Sequence, residues 1–436
     1  MTAAEFVHRR RALYQAIGPD GIAILPAAHE VVRNRDVHYP FRQASDFTYL
    51  TGFPEPDAVA VFAPGRKDGE FVLFCRPRDP EREQWDGYRA GVEGATATYQ
   101  ADQAHPLTEL DETLPGLLDG RARLFFPIGN DPHFDAQVLG WVNRVRANMR
   151  KGATPPETFV TLGSVLHECR LRKTPAELGL MRQAALISAR AHERLMCLCR
   201  SGLSESDLET EFLHQCAAHG ARFQAYPPIV AGGHHACVLH YVENGGTLKD
   251  GDLVLVDAGC ELDGYASDIT RTFPVNGRFS APQRELYELV LAAQQAAIAK
   301  AIPGNHWNEP HEAALKVLTR GLIRLGVLAG KTAKLIKDEA YKPYYMHRTG
   351  HWLGMDVHDV GHYKQQAEWR RLEPGMVMTV EPGLYMPATD AVPEPYRSIG
   401  IRIEDDLLIT EDGNEILSAV APKDPEAIEA LMGGGG

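Results

Sequence analysis

The chain is predicted to be an α+β protein in which a smaller α/β domain, residues 1–172, precedes a larger α+β domain, residues 173–436. Three observations carry this expectation. Up to about residue 170, short apolar runs (Ile22–Leu25, Ala58–Phe62, Phe71–Phe74, Leu124–Phe126) alternate with helical stretches and Pro, Gly and Asp punctuation. At Thr174-Pro175-Ala176-Glu177 a helix-start signature resets the pattern. Beyond it, helices and strands come in blocks, in the order helix, strands, helices, strands, which hints at a two-fold repeated unit. A length of 436 residues suits two or three domains of roughly 100 to 200 residues each.

Each element has a local cause. Thr174 as N-cap, Pro175 at the first helical position and Glu177 three residues on predict a long helix from about Pro175 to Cys199. Ser204 with Asp207 opens a second helix, and a glycine- and strand-rich stretch follows from Ala221 to Phe279. Helical periodicity returns at Pro282–Ile302 and Pro310–Gly326. Strands and turns resume from His347 to Thr410, and Gly433–Gly436 reads as a flexible tail.

Composition narrows the function. With 44% hydrophobic and 24% charged residues the chain can bury a sizeable core. The net charge of −13 argues against a nucleic-acid or anionic-membrane partner, because both require basic surface. No apolar run approaches the ~20 residues of a membrane span, and no signal-peptide core follows His8-Arg9-Arg10-Arg11. Seven scattered cysteines without C-x-x-C read as reduced thiols, so a cytoplasmic location is expected.

The chemistry concentrates in four segments. Leu253-Val-Leu-Val-Asp257 and the run from Tyr265 through Asp268 to Phe273 flank Asp263-Gly264, a β-hairpin pattern. With Asp263-Gly264 as the loop, Asp257 lies diagonal to Asp268; with Leu262-Asp263 as the loop, the two are directly opposite. Both registers put the carboxylates on one face, ~7 to 8 Å or ~5 Å apart, and like charges so placed call for a cation between them. The second segment holds four histidines, His347, His351, His358 and His362, in sixteen residues. His347 and His351 have zincin spacing, but no Glu follows the first, and flanking glycines favour a loop. Met376–Glu381 is an apolar run ending in a carboxylate, and along Ile399–Glu404 the isoleucines take one strand face while Gly400, Arg402 and Glu404 take the other. Four carboxylates and one imidazole suit Mn²⁺, Co²⁺, Fe²⁺ or Zn²⁺, and four negative charges favour two divalent ions.

His240-Tyr241, Asp257 with Asp268, His351-Trp-Leu-Gly354, Val357-His358-Asp-Val-Gly361, Thr379-Val-Glu381-Pro-Gly383 and Arg402-Ile-Glu404-Asp405 resemble the pita-bread metallopeptidases, the superfamily of aminopeptidase P, prolidase and methionine aminopeptidase. The resemblance is closest to Xaa-Pro aminopeptidases and covers nearly the whole chain, including Phe41–Phe53 in the N-terminal domain. It implies a C-terminal pita-bread fold, a pseudo-two-fold curved antiparallel sheet with covering helices, behind a creatinase/aminopeptidase P-like domain. It implies two metal ions per subunit, Mn²⁺ first, with Co²⁺ or Zn²⁺ as alternatives. Asp257 would bind one ion, Asp268 and Glu404 would bridge both, and His351 with Glu381 would complete the second. A bridging hydroxide would attack the carbonyl before proline, with Glu381 as general base and His240, His347 and His358 lining the site. Arg402, Tyr363, Tyr226 and Trp85 would contact substrate, Trp85 from a segment reaching a neighbouring subunit in a homotetramer or dimer. The partners implied are peptides with an Xaa-Pro N-terminus. Prolidase action on Xaa-Pro dipeptides alone is the alternative; a metal-free creatinase-like hydrolase or a non-catalytic module is expected to lack some of the five ligands. Two departures bear on specificity: Arg348-Thr349 between His347 and Gly350, and Pro227-Pro228 with His234-His235.

Overall fold

A computed structural model describes residues 1–434. The chain divides into two compact units, Met1–Arg170 and a second beginning at Leu171.

In the N-terminal unit a six-stranded mixed sheet runs in the order Gln103–Pro106, Phe71–Cys75, Val59–Phe62, Gly21–Pro26, Arg123–Phe126, Thr158–Thr161. The central four are the apolar runs expected from sequence, and their side chains (Ile22, Val61, Phe74, Leu124) pack on Leu114 and Trp141 of the helices Leu110–Leu118 and Pro132–Ala147. The two edge strands were not foreseen. Thr158–Thr161 is mostly exposed and Gln103–Pro106 only half-buried, so neither carries the apolar run that marks a buried strand. The Phe41–Phe53 motif folds around the helix Ser45–Thr51, whose Asp46 is held by Arg170 at 2.7 Å and His167 at 3.3 Å.

The C-terminal unit builds a helix pair followed by a three-stranded antiparallel sheet, twice. Helices Pro175–Leu198 and Glu205–Ala218 both start on reciprocal capping boxes, Thr174 with Glu177 and Ser204 with Asp207. They precede the sheet Ile229–Gly232, Leu253–Asp257, Thr270–Pro274. Helices Ala281–Ile298 and Glu309–Arg324 then precede the sheet Val377–Val380, Asp405–Ile409, Asn414–Ile416. The first of these ends four residues before Ile302, where Gly304 and the Trp307 backbone turn away to bond Leu372 and Arg370. A short ladder, Gly383–Tyr385 with Gly400–Arg402, completes the second half. The halves are stitched together where Glu404 donates its N–H to the Thr270 carbonyl and Thr272 Oγ1 bonds the Arg402 carbonyl. The main apolar core of this unit runs from Leu208 and Phe212 through Val254 and Phe273 to Leu318 and Ile403. Gly433, expected in a flexible tail, is instead the last residue of a helix from Pro425; Gly435 and Gly436 lie outside the described residues.

Behind the strands, Arg271 is fully buried and spends its guanidinium on the carbonyls of Thr270, Glu404, Ala421 and Pro422 and on the Asp405 carboxylate. Burial opposes the Asp405 charge, but Arg271 and Lys423 outweigh it and hold its carboxyl down to about 2.

Candidate active site

The hairpin takes the diagonal register. Asp257 pairs with Thr270 and Leu262 with Tyr265, leaving Asp263-Gly264 as the loop, with positive φ of 49° and 81° as a two-residue hairpin turn requires. Asp257 and Asp268 therefore share a face, and one group touches both: Tyr226 Oη lies 2.6 Å from Asp257 Oδ1 and 2.5 Å from Asp268 Oδ1. A hydroxyl has one proton to give, so the second contact requires a proton from a carboxyl. Burial raises the Asp268 carboxyl, and the neighbouring Asp257 charge adds to it.

Glu404 enters from the second half at the end of the Gly400–Arg402 strand, accepting from Thr270 Oγ1 at 2.6 Å. Burial lifts it well above the ordinary carboxylate range, with the Asp268 and Glu381 charges in the same direction. Glu381 follows the strand Val377–Val380, its N–H bonded to the Thr349 carbonyl at 2.8 Å. Burial, opposed by the nearby His351 charge, raises it to about 7. Ligand atoms of Asp268, His351 and Glu404 all lie within 4.8 Å of one another, close enough to hold one cation.

His351 is oriented for that purpose. Its Nδ1 donates to the Trp352 carbonyl at 2.9 Å, which turns Nε2 toward Asp268 Oδ2 at 3.3 Å and Glu381 Oε1 at 3.6 Å. Burial disfavours its charge, yet the Asp268 hydrogen bond and the Glu381 charge raise it to about 9. Gly350 permits the approach: a Cβ there would meet the Thr379 carbonyl oxygen at 2.0 Å. Four carboxylates and one imidazole, balanced in part by Arg402 on Asp257, form a donor set with spare negative charge, and it fits divalent metal.

From Asp257 a polar chain runs outward. Arg402 Nη2 donates to Asp257 Oδ2 at 2.5 Å and Nη1 to Tyr385 Oη at 2.8 Å; Tyr385 Oη is 2.8 Å from His347 Nε2. His347 Nδ1 faces the Arg348 carbonyl at 2.8 Å and must donate to it. Burial first, then the Arg402 charge, lowers His347 to about 4, so it is neutral and accepts from Tyr385. Behind the aspartates, His192 bonds the Ala258 carbonyl at 3.0 Å, and burial keeps it neutral with a pKa of about 4.

These residues surround a cavity of about 930 Å³. Asp257, Asp268, His351, Glu381 and Glu404 form its acidic part, and His240, His347, His358, Arg402, Tyr363 and Tyr226 line it with them. His358 stands with its ring 4.3 Å from that of His351. Eleven of the twelve residues singled out in the sequence thus come together. Trp85 does not line this cavity; it sits on the helix Pro80–Asp86 of the N-terminal unit and is 85% exposed. Of the departures, Arg348 and Pro227 line the cavity. Thr349 turns inward to His311 and Tyr345, and His235 is tied to Glu205 at 2.8 Å and stacked on Tyr241. Sequence reasoning missed Tyr385, Thr270 and Asp406, which accepts the Asp268 N–H at 3.1 Å. No sequence signal marks Tyr385; its place on a strand opposite Gly400, two residues from Arg402, is visible only in the structure.

Such a floor, facing a cavity of peptide size, defines a metallohydrolase. More particularly, the chain belongs to metallopeptidase family M24, whose model matches residues 179–411, and residues 6–125 match the aminopeptidase P N-terminal domain. It is 46% identical over 429 residues to an Xaa-Pro aminopeptidase of Escherichia coli, across 98% of this chain and 97% of that one. The structure superposes on an aminopeptidase (PepP) of Pseudomonas aeruginosa with a TM-score of 0.98 at 54% identity, covering 100% and 99% of the two chains. It superposes on aminopeptidase P of E. coli with the inhibitor Pro-Leu at 0.96 and 45% identity, covering 100% and 99%. The pita-bread fold behind an aminopeptidase P-type N-terminal domain, expected from sequence, is the fold observed.

Proposed function

We propose that this chain is an Xaa-Pro aminopeptidase that releases the N-terminal residue from peptides with proline second. The observation that carries the reading is the convergence of five ligand-type side chains from both halves of the fold on one cavity, in a chain similar over its full length to enzymes of that name. Asp257, Asp268, His351, Glu381 and Glu404 would hold two divalent ions, which would supply an acidified water and a polarised scissile carbonyl. Oxygen-rich donors with a single imidazole suit Mn²⁺, Co²⁺ or Zn²⁺ alike, and it is the family likeness that puts Mn²⁺ first.

The chain's own groups do the rest. Glu381, facing the cavity, takes the proton of the attacking water and passes it to the leaving proline nitrogen. His240 and His358, which line the cavity, would donate to the carbonyl oxygen as charge develops on it. Neutral His347, fixed by Tyr385 and Arg402, offers an aromatic edge to the proline ring, and Tyr363 and Tyr226 wall the pocket. An Xaa-Pro bond lacks an N–H, so a pocket shaped for the ring replaces the grip that other peptidases take on that hydrogen. The substrate α-amine would lie against the acidic floor, which makes the enzyme an exopeptidase.

Comparing Ala-Pro-Ala, Ala-Ala-Ala and Ala-Pro tests this: the first should be cleaved far faster than the second, whereas cleavage of the dipeptide alone would make the enzyme a prolidase. The full-length similarity to Xaa-Pro aminopeptidases does not favour that alternative. His358→Ala is expected to keep its metal and lose roughly 10²-fold in kcat, as for one oxyanion donor; loss of metal in this variant would move His358 into the ligand set.

We also infer a homo-oligomer, tetramer or dimer, in which Trp85 reaches a neighbouring subunit's cavity. Its support is exposure: Trp85 at 85% and Tyr88 at 91% are the most exposed large aromatic side chains among the described residues, while Glu83 beside them is tied down by Arg78. Unchanged tripeptide kinetics in Trp85→Ala would remove Trp85 from the site. A cytoplasmic location is supported by the free thiols of all seven cysteines. Among the described residues no helix is long and apolar enough to cross a membrane.

A further inference from the structure

Glu205 opens the helix Glu205–Ala218 and is buried at 1% exposure, yet it does not line the cavity. Its carboxylate accepts four hydrogen bonds, two on each oxygen. Oε1 takes the Gly232 N–H at 2.7 Å and His235 Nδ1 at 2.8 Å; Oε2 takes the Tyr241 hydroxyl at 2.9 Å and the Gly246 N–H at 2.6 Å. Burial opposes its charge, but these donors outweigh burial and hold the carboxyl below its ordinary range. The fit is close: a Cβ on Gly246 would meet Oε2 and the His235 ring at 2.9 Å each. The His235 and Tyr241 rings stack on one another with centroids 4.4 Å apart.

All four donors belong to one loop. It leaves the strand Ile229–Gly232 and returns to Gly246, whose carbonyl accepts the Glu205 N–H at 2.9 Å. Between these ends Leu239, His240 and Val242 line the cavity, while His240, Val238 and Val242 remain exposed. A segment with so little apolar burial takes a fixed shape from its polar anchors. Asn244 fastens the returning limb to Val230 and Pro228, and Glu205 fastens the limb that carries His240, through Tyr241 next to it. We propose that Glu205 is a positioning residue for the cleavage reaction: by clamping the ends and the middle of this loop, it fixes His240 beside the carbonyl oxygen that develops charge. The inference rests on the aminopeptidase reading and deepens it. It also gives the His234-His235 departure a role, since His235 supplies one of the four donors.

The test is a double-substitution cycle of Glu205→Gln and His240→Ala in the metal-loaded full chain, with kcat and KM for Ala-Pro-Ala and bound metal as readouts. The amide keeps one acceptor oxygen and turns an NH₂ group toward two of the four donors, so half of the clamp opens. In the wild-type background Glu205→Gln should lower kcat about 10- to 100-fold, the scale of a displaced catalytic group, with KM changed less and metal retained. In the His240→Ala background the same substitution should cost less than about twofold, because the group it displaces is already gone. Tyr241→Phe, which removes one hydroxyl, is the milder variant and should show a smaller loss, absorbed in the same way. Equal losses in both backgrounds, loss of metal, or an unchanged kcat in Glu205→Gln would overturn the assignment, as would full turnover in His240→Ala. If the wild type cleaved no Xaa-Pro peptide, the aminopeptidase reading would fall. Hydrogen exchange of the loop amides would then read the clamp by itself: faster exchange in Glu205→Gln supports it, and unchanged exchange overturns it.

Discussion

Replacing Asp268 by asparagine should abolish hydrolysis and lower metal occupancy while leaving the fold intact. Asp268 stands at the centre of the acidic cluster, within reach of His351 and Glu404 and joined to Asp257 through Tyr226. The amide is isosteric but uncharged and turns an N–H toward the place of a cation. Loss of a group that merely supports a ligand costs metal affinity or activity about 10- to 100-fold, so loss of a residue proposed as a ligand should exceed that range. The metal-free protein should respond in the opposite sense. Burial disfavours the ionised Asp268 there, and a neutral amide removes that strain, so the chelated variant should melt no lower than chelated wild type. Retention of two metals and full activity would remove Asp268 from the centre, and a lower melting point would assign it a structural role.

The second large effect is on stability. In Arg271→Ala the Asp405 carboxylate loses its fully buried cationic partner and the carbonyls of Thr270 and Glu404 each lose a donor. Breaking a buried ion pair from one side costs about 3 to 5 kcal/mol, and Lys423 remains to keep this one near the lower limit. At roughly 2 to 4 °C per kcal/mol for a unit of this size, the thermal transition of the C-terminal unit should fall by about 6 to 12 °C. Arg271→Lys should recover only part of this, because an ammonium cannot reach the same set of carbonyls. A transition within 2 °C of wild type in Arg271→Ala would show the network to be dispensable.

What the sequence made legible was local. The capping boxes at Thr174 and Ser204 declare themselves within four residues, and Leu253–Asp257 declares itself by an apolar run ending in a charge. Alternation along Ile399–Glu404 placed Arg402 and Glu404 on one face, and both line the cavity. The shared face of Asp257 and Asp268 was legible because each loop choice preserves parity, although the choice between registers needed the backbone. Long-range partners were not legible. Nothing around Tyr385 announces that its hydroxyl lies between Arg402 and His347, contacts that span 17 and 38 residues. Within Glu404-Asp405-Asp406 the three acids part ways: Glu404 to the cavity, Asp405 to Arg271, and Asp406 to the Asp268 N–H. A run of like charges reads as one feature in sequence, but consecutive side chains on extended backbone point to opposite faces, so Asp405 parts from Glu404 and Asp406, which both turn toward Asp268.

The central claim is that five side chains from the two halves hold two divalent ions that power cleavage before proline. Its most direct test is to strip the purified chain with a chelator, add back Mn²⁺, Co²⁺ or Zn²⁺ singly, and measure both bound metal and hydrolysis of Ala-Pro-Ala. The account predicts an inactive stripped protein, two ions bound per chain on add-back, and recovery of tripeptide cleavage with at least one of them. Undiminished cleavage by the stripped protein, or recovery without metal uptake, would contradict it.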